Sequence, residues 1–255
     1  MPHIRLITRG DDCGSNHTAN LAIREAFQHG LLKNTSLMVP CTAIEEAAEM
    51  LADEKALCCG LHCTITAEWD RVRWGPVLDP ALVPALVDEH GHFLQSTHAL
   101  HERQVPVEQV MAELQAQLDR ARALGFDVRY ADQHMVFGGI ADGLEETIDE
   151  WCHREGILNA RHYGGSLPDG QVEGDPVEQL IARLDAAPSG QYLIVGHPAY
   201  DSKEMRALGH EGYPGSTIGP ERDWQRRFFT DPRILAYCET HDVVPIRYDE
   251  AEPNP

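Results

Sequence analysis

The stretch that decides the fold is His3-Ile4-Arg5-Leu6-Ile7-Thr8, followed at once by Arg9-Gly10-Asp11-Asp12-Cys13-Gly14-Ser15. Its first half is apolar at Ile4, Leu6 and Ile7, which predicts a short buried strand. Its second half predicts a turn between two glycines. In α/β proteins, functional residues lie at the carboxyl ends of strands. Asp11 and Asp12 point in different directions there, so one can hold a metal while the other moves a proton. The alternative is that both are turn and helix-cap residues.

The composition bounds the class of protein. A chain of 255 residues can form one α/β barrel or two small domains. Lys+Arg 21 against Asp+Glu 41 gives a net charge of −20, which argues against nucleic acid or an anionic membrane as a partner. No apolar run approaches the ~20 residues needed to cross a bilayer. Seven cysteines without a CxxC pair, and no visible signal peptide, predict a cytoplasmic protein with reduced thiols.

Strand-like and helix-like stretches alternate outward from the opening stretch. Helical spacing predicts helices over residues 16–29, 43–53, 107–124, 144–153, 176–186 and 231–240. Short apolar runs predict strands over residues 35–39, 56–64, 128–131, 156–160, 192–195 and 243–247. Residues 68–105 are irregular and predict a long inserted loop on the substrate-binding surface. Residues 200–219 are predicted to be a loop. The alternation predicts a mainly parallel sheet, open or closed into a barrel.

Polar residues of a matching kind follow four of these strands. They are Asp11 with Asp12, His62, Asp132 with His134, and His197. One aspartate and two histidines form a common open site for a divalent metal. Three protein ligands leave positions for water and substrate, as a hydrolase needs. A single histidine after a buried strand is more often structural, so the prediction depends on their joint placement.

The ordered motifs resemble those of a known family, the YdjC-like carbohydrate deacetylases, which include the chito-oligosaccharide deacetylases. The motifs are Arg9-Gly10-Asp11-Asp12-Cys13-Gly14, Gly60-Leu61-His62-Cys63-Thr64, Asp132-Gln133-His134 and Gly196-His197-Pro198. Weaker similarity occurs over residues 34–38, 86–93 and 222–224. The resemblance covers nearly the whole chain. It implies one domain over residues 1–255, a distorted, TIM-barrel-like (β/α) barrel of about seven parallel strands, and a homodimer.

The resemblance also implies roles for individual residues. Asp12, His62 and His134 would bind a divalent cation, magnesium or zinc. Asp11 would be the general base that activates a water at the metal, and His197 the acid that protonates the leaving amine. Asp132 would orient His134 or an adjacent group from behind the site. The implied reaction is removal of an acetyl group from an N-acetylated sugar or small oligosaccharide.

Two departures from the family pattern concern the substrate side. Arg9 stands where the family usually has asparagine, and Phe137 where it has a second histidine. We expect Arg9, Asp132, Phe137, Trp69 and Trp74 near the substrate. The two tryptophans either stack on sugar rings or pack the loop in place.

Two other functions stay open at this point. One is a catalytically silent protein that binds metal or sugar, in which the replacements at Arg9 and Phe137 have ended turnover. The other is a different metallohydrolase on the same barrel, such as a phosphoesterase. The charge of −20 and the lack of a glycine-rich phosphate cradle disfavour the phosphoesterase.

Overall fold

Strands and helices alternate in the computed structural model, which describes residues 3–170 and 172–254. The strands are β1 Ile4–Cys13, β2 Asn34–Leu37, β3 Cys58–Cys63, β4 Val128–Gln133, β5 Leu158–Asn159, β6 Gly190–Gly196, β7 Gly209–His210, β8 Tyr213–Pro214 and β9 Val243–Ile246. The helices are α1 His17–His29, α2 Ile44–Leu51, α3 Thr97–Glu102, α4 Val107–Ala123, α5 Leu144–Glu155, α6 Pro176–Asp185, α7 Gly215–Thr230 and α8 Pro232–Thr240.

The main sheet has seven strands in the order β5-β4-β3-β2-β1-β6, with β9 also paired to β1. Every pairing in it is parallel. Strand β6 lies along one edge of β1, while β9 and β2 share the other edge, β9 beside Ile4–Ile7 and β2 from Arg9 onward. The sheet curls into a half-barrel with helices outside it. The predicted α/β, barrel-like fold with about seven parallel strands is confirmed.

Asn34 fills the gap where β2 and β9 meet beside β1. Its side-chain amide donates hydrogen bonds to the carbonyl oxygens of Thr8 and Ile246, both at 3.0 Å. Its Oδ1 accepts a hydrogen bond from the backbone N–H of Tyr248 at 2.8 Å. Asn34 is fully buried, so its amide satisfies backbone groups that the interrupted sheet would leave unpaired.

The first strand is longer than the sequence pattern predicts. Asp11 and Asp12 belong to β1 rather than to a turn after it. The register with β2 is interrupted between Gly10 and Cys13, and Asp12 has a φ of +66° there. Aspartate tolerates this left-handed conformation better than most residues, and bulges re-aim side chains. The irregular backbone therefore sets where the two carboxylates point.

Helix α7 corrects the predicted loop over residues 200–219. Only the part before Gly215 is irregular, and it contains the hairpin β7–β8. The glycines and histidines of residues 200–219 predict a loop, and Pro220, just beyond them, removes a helical hydrogen bond. Burial of Ile218, Phe228 and Phe229 on the inner face of the helix offsets that loss.

The inserted region 68–105 is held in place by buried polar groups of α4. Glu113 accepts hydrogen bonds from the backbone N–H groups of Val77 and Leu78, at 2.9 and 3.1 Å. Gln117 bonds to both the N–H and the carbonyl oxygen of Thr64. Burial raises the pKa of Glu113. These contacts fix the start of the insertion beside the end of β3.

None of the helices within residues 3–170 and 172–254 is both long and apolar enough to span a bilayer. That residues 1–255 form one domain stays a prediction.

Candidate active site

Three residues from different strand ends converge on one point. Asp12 comes from the irregular end of β1, His62 from the end of β3, and His134 follows β4 directly. Their nearest donor atoms lie within 4.8 Å of one another. Asp12 Oδ1 is 3.6 Å from His62 Nε2 and 3.5 Å from His134 Nδ1. These are the residues that the sequence analysis grouped as metal ligands.

The donor atoms fit a metal ion. Asp12 Oδ1 and His62 Nε2 are buried and have no hydrogen-bond partner among the residues that the structure describes. Buried polar atoms are rarely left without a partner. Two ligands about 2.1 Å from a tetrahedral metal stand roughly 3.4 Å apart, close to the two measured separations. This buried group of one carboxylate and two imidazoles can therefore hold a metal ion.

Each histidine is oriented by a carboxylate behind it. His62 Nδ1 lies 2.9 Å from Asp132 Oδ1, and His134 Nε2 lies 3.0 Å from Glu68 Oε2. Since a carboxylate only accepts, each of these ring nitrogens carries the proton. When the ring is neutral, its other nitrogen has a free lone pair on the side of Asp12, as a metal ligand requires. Asp132 thus orients the adjacent histidine His62, and Glu68 orients His134.

The charges around these groups shift their pKa values in the metal-free protein. Burial would lower the pKa of His134, but the charges of Glu68 and Asp12 raise it to about 10. Burial likewise opposes the charged form of His62, but Asp132 raises its pKa. For Asp12, burial would raise the pKa, yet the charges of His197 and His134 hold it well below its usual range. The metal-free site therefore favours a carboxylate beside protonated imidazole.

Arg9 binds both of the other aspartates of the site. Its Nε and Nη2 lie 2.7 and 2.9 Å from the two carboxylate oxygens of Asp11. Its Nη1 lies 2.8 Å from Asp132 Oδ2 and 3.2 Å from the hydroxyl of Tyr248. Asp11, His62 and Asp132 also lie close enough together to hold a metal. The positive charge of Arg9 offsets the negative charge of Asp11 and Asp132, which weakens this second group as a metal site. Asp12, His62 and His134 are therefore the better candidate metal site.

His197, at the end of β6, is held by Gln225 from α7. Gln225 Oε1 accepts from the backbone N–H of His197 at 2.6 Å and lies 3.1 Å from its ring Nδ1. This leaves Nε2 as the nitrogen that can gain or lose a proton. Burial lowers the pKa of His197. His197 lines the same cavity as Asp12 and His134.

The tryptophans and Phe137 differ in their relation to this cavity. Trp69 and Trp74 line it, and the ring of Trp74 meets the edge of His134 with centroids 6.0 Å apart. Trp74 Nε1 also donates to the carbonyl oxygen of Thr66, which fixes the ring. Phe137 is only 1% exposed and packs in the hydrophobic core. This corrects the expectation that Phe137 lies toward the substrate.

The cavity itself is narrow. Its volume is about 20 Å³, enough for about one water molecule. Met205 and Leu208, from the irregular segment before α7, form part of its wall. The backbone N–H of Asp70 donates to the carbonyl oxygen of Gly209 at 3.0 Å, which joins this segment to the inserted region.

Sequence reasoning did not single out Glu68, Gln225 or Arg222 as site residues. Arg222, on α7, lines the cavity with its Nη2 3.8 Å from Asp12 Oδ2. Arg222 lies within a weak motif match, which was its one available signal. Glu68 begins the irregular stretch and Gln225 lies in the helix that the pattern missed, so neither had a local signal.

Taken together, the fold and the site define a class: an α/β half-barrel whose strand ends gather an aspartate and two histidines able to hold a metal ion. The chain belongs to the YdjC-like protein family, whose model matches residues 5–240. A carbohydrate deacetylase of Thermoanaerobacter pseudethanolicus is 25% identical, with 95% of this chain and 97% of the relative covered. A carbohydrate deacetylase of Geobacillus stearothermophilus is 27% identical, with 96% of each covered.

Two further comparisons extend this picture. A chitooligosaccharide deacetylase of Proteus mirabilis is 25% identical over 82% of this chain and 87% of the relative. A solved structure from Enterococcus faecalis V583, provisionally named a cellobiose-phosphate cleavage protein, has a TM-score of 0.74. It is 20% identical and the match covers 97% of this chain and 98% of that one. At this identity the structural likeness supports the fold alone.

Proposed function

We propose that the protein is a metal-dependent hydrolase that removes an acetyl group from an N-acetylated sugar or small oligosaccharide. Membership of the family makes it a hydrolase of the carbohydrate deacetylase class. The observation that carries the mechanism is the convergence of Asp12 Oδ1, His62 Nε2 and His134 Nδ1 on one point. Two of these buried atoms have no partner within the described part of the chain.

Asp12, His62 and His134 would hold a divalent cation, magnesium or zinc. Two imidazoles and one carboxylate favour zinc over magnesium, which prefers oxygen ligands. A bound divalent ion would polarise the amide carbonyl and lower the pKa of a water molecule. The charges of the surrounding side chains also favour a divalent cation. Among the described residues of the site, four carboxylates (Asp11, Asp12, Glu68 and Asp132) face two guanidinium groups (Arg9 and Arg222), and a divalent cation balances the difference.

Asp11 and His197 would move the protons. Arg9 Nη2 donates one hydrogen bond to Asp11 Oδ2, and Asp11 Oδ1, which accepts none from the described residues, can accept a proton from water. The water oxygen then bonds to the acetyl carbon. As the C–N bond breaks, its electron pair stays on nitrogen, and the Nε2 of protonated His197 gives that nitrogen a proton. The products are acetate and the amino sugar.

The remaining parts of the proposal concern the substrate and the setting. Trp69 and Trp74 line the cavity wall, and aromatic rings suit the apolar side of a pyranose. We infer a homodimer in the cytoplasm, in line with the implied family pattern and the reduced state expected of seven buried, unpaired cysteines.

One observation favours a second candidate, a silent protein that binds metal without turnover. Arg9 Nε and Nη2 lie 2.7 and 2.9 Å from the two oxygens of Asp11, so the guanidinium occupies space that a water molecule would need in order to reach this carboxylate. The two functions share the metal centre and differ in the release of acetate.

The deciding experiment measures acetate release from a panel of N-acetylated mono- and disaccharides, with and without chelator. Release that chelator removes, that metal restores and that Asp11→Asn abolishes would support the deacetylase. Glu89→Gln, an exposed carboxylate distant from the site in the inserted region, is the matched control. No release across the panel by protein that contains metal would favour the silent candidate.

A further inference from the structure

The two guanidinium groups of the site differ in their partners. Arg9 donates hydrogen bonds to Asp11 and Tyr248 and lies 2.8 Å from Asp132 Oδ2. Arg222 is also largely buried, with 13% of its side chain exposed. None of the residues described in the structure accepts a hydrogen bond from its side chain. A guanidinium has five N–H donors, so Arg222 keeps donors free for a ligand from outside the chain.

Arg222 is not explained as a support for Asp12. The 3.8 Å between its Nη2 and Asp12 Oδ2 is too long for a hydrogen bond. A supporting arginine would close that distance to a hydrogen bond, as Arg9 Nη2 does with Asp11 Oδ2 at 2.9 Å. Arg222 instead lines the cavity beside Asp12, His134 and His197.

The position of Arg222 also limits what it can bind. Helix α7 delivers Arg222 and, one turn later, Gln225, which holds His197. Arg222 therefore lines the same cavity as His197, the residue proposed to protonate the leaving amine, and Asp12, a proposed metal ligand. The scissile amide occupies this space in the proposed reaction. The cavity of about 20 Å³ leaves room for only a small group here.

We propose that Arg222 donates hydrogen bonds to the acetyl oxygen of the substrate. That oxygen gains negative charge as water adds to the amide, and it becomes a carboxylate oxygen of the acetate product. The proposal rests on the deacetylase function. It makes Arg222 a catalytic residue whose contribution grows as the charge develops, like donors of an oxyanion hole. Loss of one such donor lowers kcat by about 10²–10³-fold.

The test compares Arg222→Gln and Arg222→Lys with the control Arg154→Gln. Arg154 lies on α5 with 65% of its side chain exposed and does not line the cavity. Carbon-13 acetate is titrated into each protein as purified and followed by NMR, and the metal content of each sample is measured. We expect acetate to bind at least about tenfold more weakly to Arg222→Gln. Arg222→Lys should keep part of the wild-type affinity for acetate, and the control variant should bind acetate as the wild type does.

Kinetics on the best sugar of the panel give the second readout. Arg222→Gln should lower kcat about 10²–10³-fold with KM nearly unchanged. Unchanged acetate affinity, or a loss of metal that accounts for the loss of kcat, would overturn the proposal. If the wild type releases no acetate from any sugar, the deacetylase function fails. The acetate titration still decides whether Arg222 binds the carboxylate.

Discussion

Glu68 Oε2 and His134 Nε2 are joined at 3.0 Å, although the two residues stand 66 positions apart. Glu68 begins the irregular insertion and His134 follows a strand of the barrel. The pair directs His134 Nδ1 toward Asp12. The insertion therefore completes the candidate metal centre as well as covering it.

Glu68→Gln should weaken metal binding by about 10–100-fold, because the carboxylate orients the imidazole and raises its basicity. Metal affinity measured by competition with a chromophoric chelator checks this. Glu89→Gln, at a side chain that is 87% exposed in the same insertion, should bind metal like the wild type. Equal affinities for both variants would exclude an orienting role for Glu68.

Metal binding should release protons. In the metal-free protein the pKa of His134 is about 10, so this imidazole is protonated at pH 7 and must lose its proton to bind a metal. Metal affinity should therefore rise as pH rises toward 10, by up to about tenfold per unit. Calorimetry in buffers of different ionisation enthalpy measures the release. In Glu68→Gln the release should fall, since Glu68 raises this pKa. A pH-independent affinity in wild type would contradict the prediction.

Asp11→Asn should lower kcat by about 10²–10⁴-fold, the usual contribution of a general base, and leave metal content unchanged. Acetate release and metal analysis on the same samples check both parts.

The variants Arg9→Lys and Arg9→Asn separate the charge of Arg9 from its geometry, because lysine keeps the positive charge but cannot place two nitrogens beside the carboxylate of Asp11. Higher turnover in Arg9→Asn than in wild type would show that Arg9 limits the action of Asp11 as a general base.

Asn34→Ala should destabilise the fold by at least about 3 kcal/mol, because three buried backbone groups lose their partners. Urea unfolding measures the loss. Asn254→Ala is the control, since its side chain makes one exposed hydrogen bond to Gly164 and should change stability little. A loss below about 1 kcal/mol for Asn34→Ala would mean that the sheet closes this gap in another way.

The narrow cavity, with a volume of about 20 Å³, predicts that the segment bearing Met205 must move to admit a sugar. Thr18 Oγ1 and Ser202 Oγ lie 3.2 Å apart, so Thr18→Cys with Ser202→Cys should form a disulfide that locks the segment onto α1. The oxidised protein should keep its metal but lose turnover, and reduction should restore it. Each single cysteine variant serves as control. Full turnover in the locked protein would show that the substrate enters elsewhere.

Local patterns in the sequence were sufficient for most of the fold. Hydrophobic periodicity depends on neighbours a few residues apart, so it predicted the alternation of strands and helices and the parallel sheet. It failed at α7, where Pro220 opposes a helix that distant apolar contacts stabilise. It also ended the first strand too early, because a bulge keeps Asp11 and Asp12 in the sheet.

The sequence by itself determined which residues stand at strand ends, and parallel strands bring those ends to one edge. The resemblance to the family then selected Asp12, His62 and His134 from those strand-end residues, and the structure brings these three together. The tertiary structure alone decided their surroundings: Glu68 behind His134, Arg9 between two aspartates, and Phe137 in the core. Such contacts join segments far apart in the chain, and they depend on side-chain direction and packing, which local periodicity does not encode.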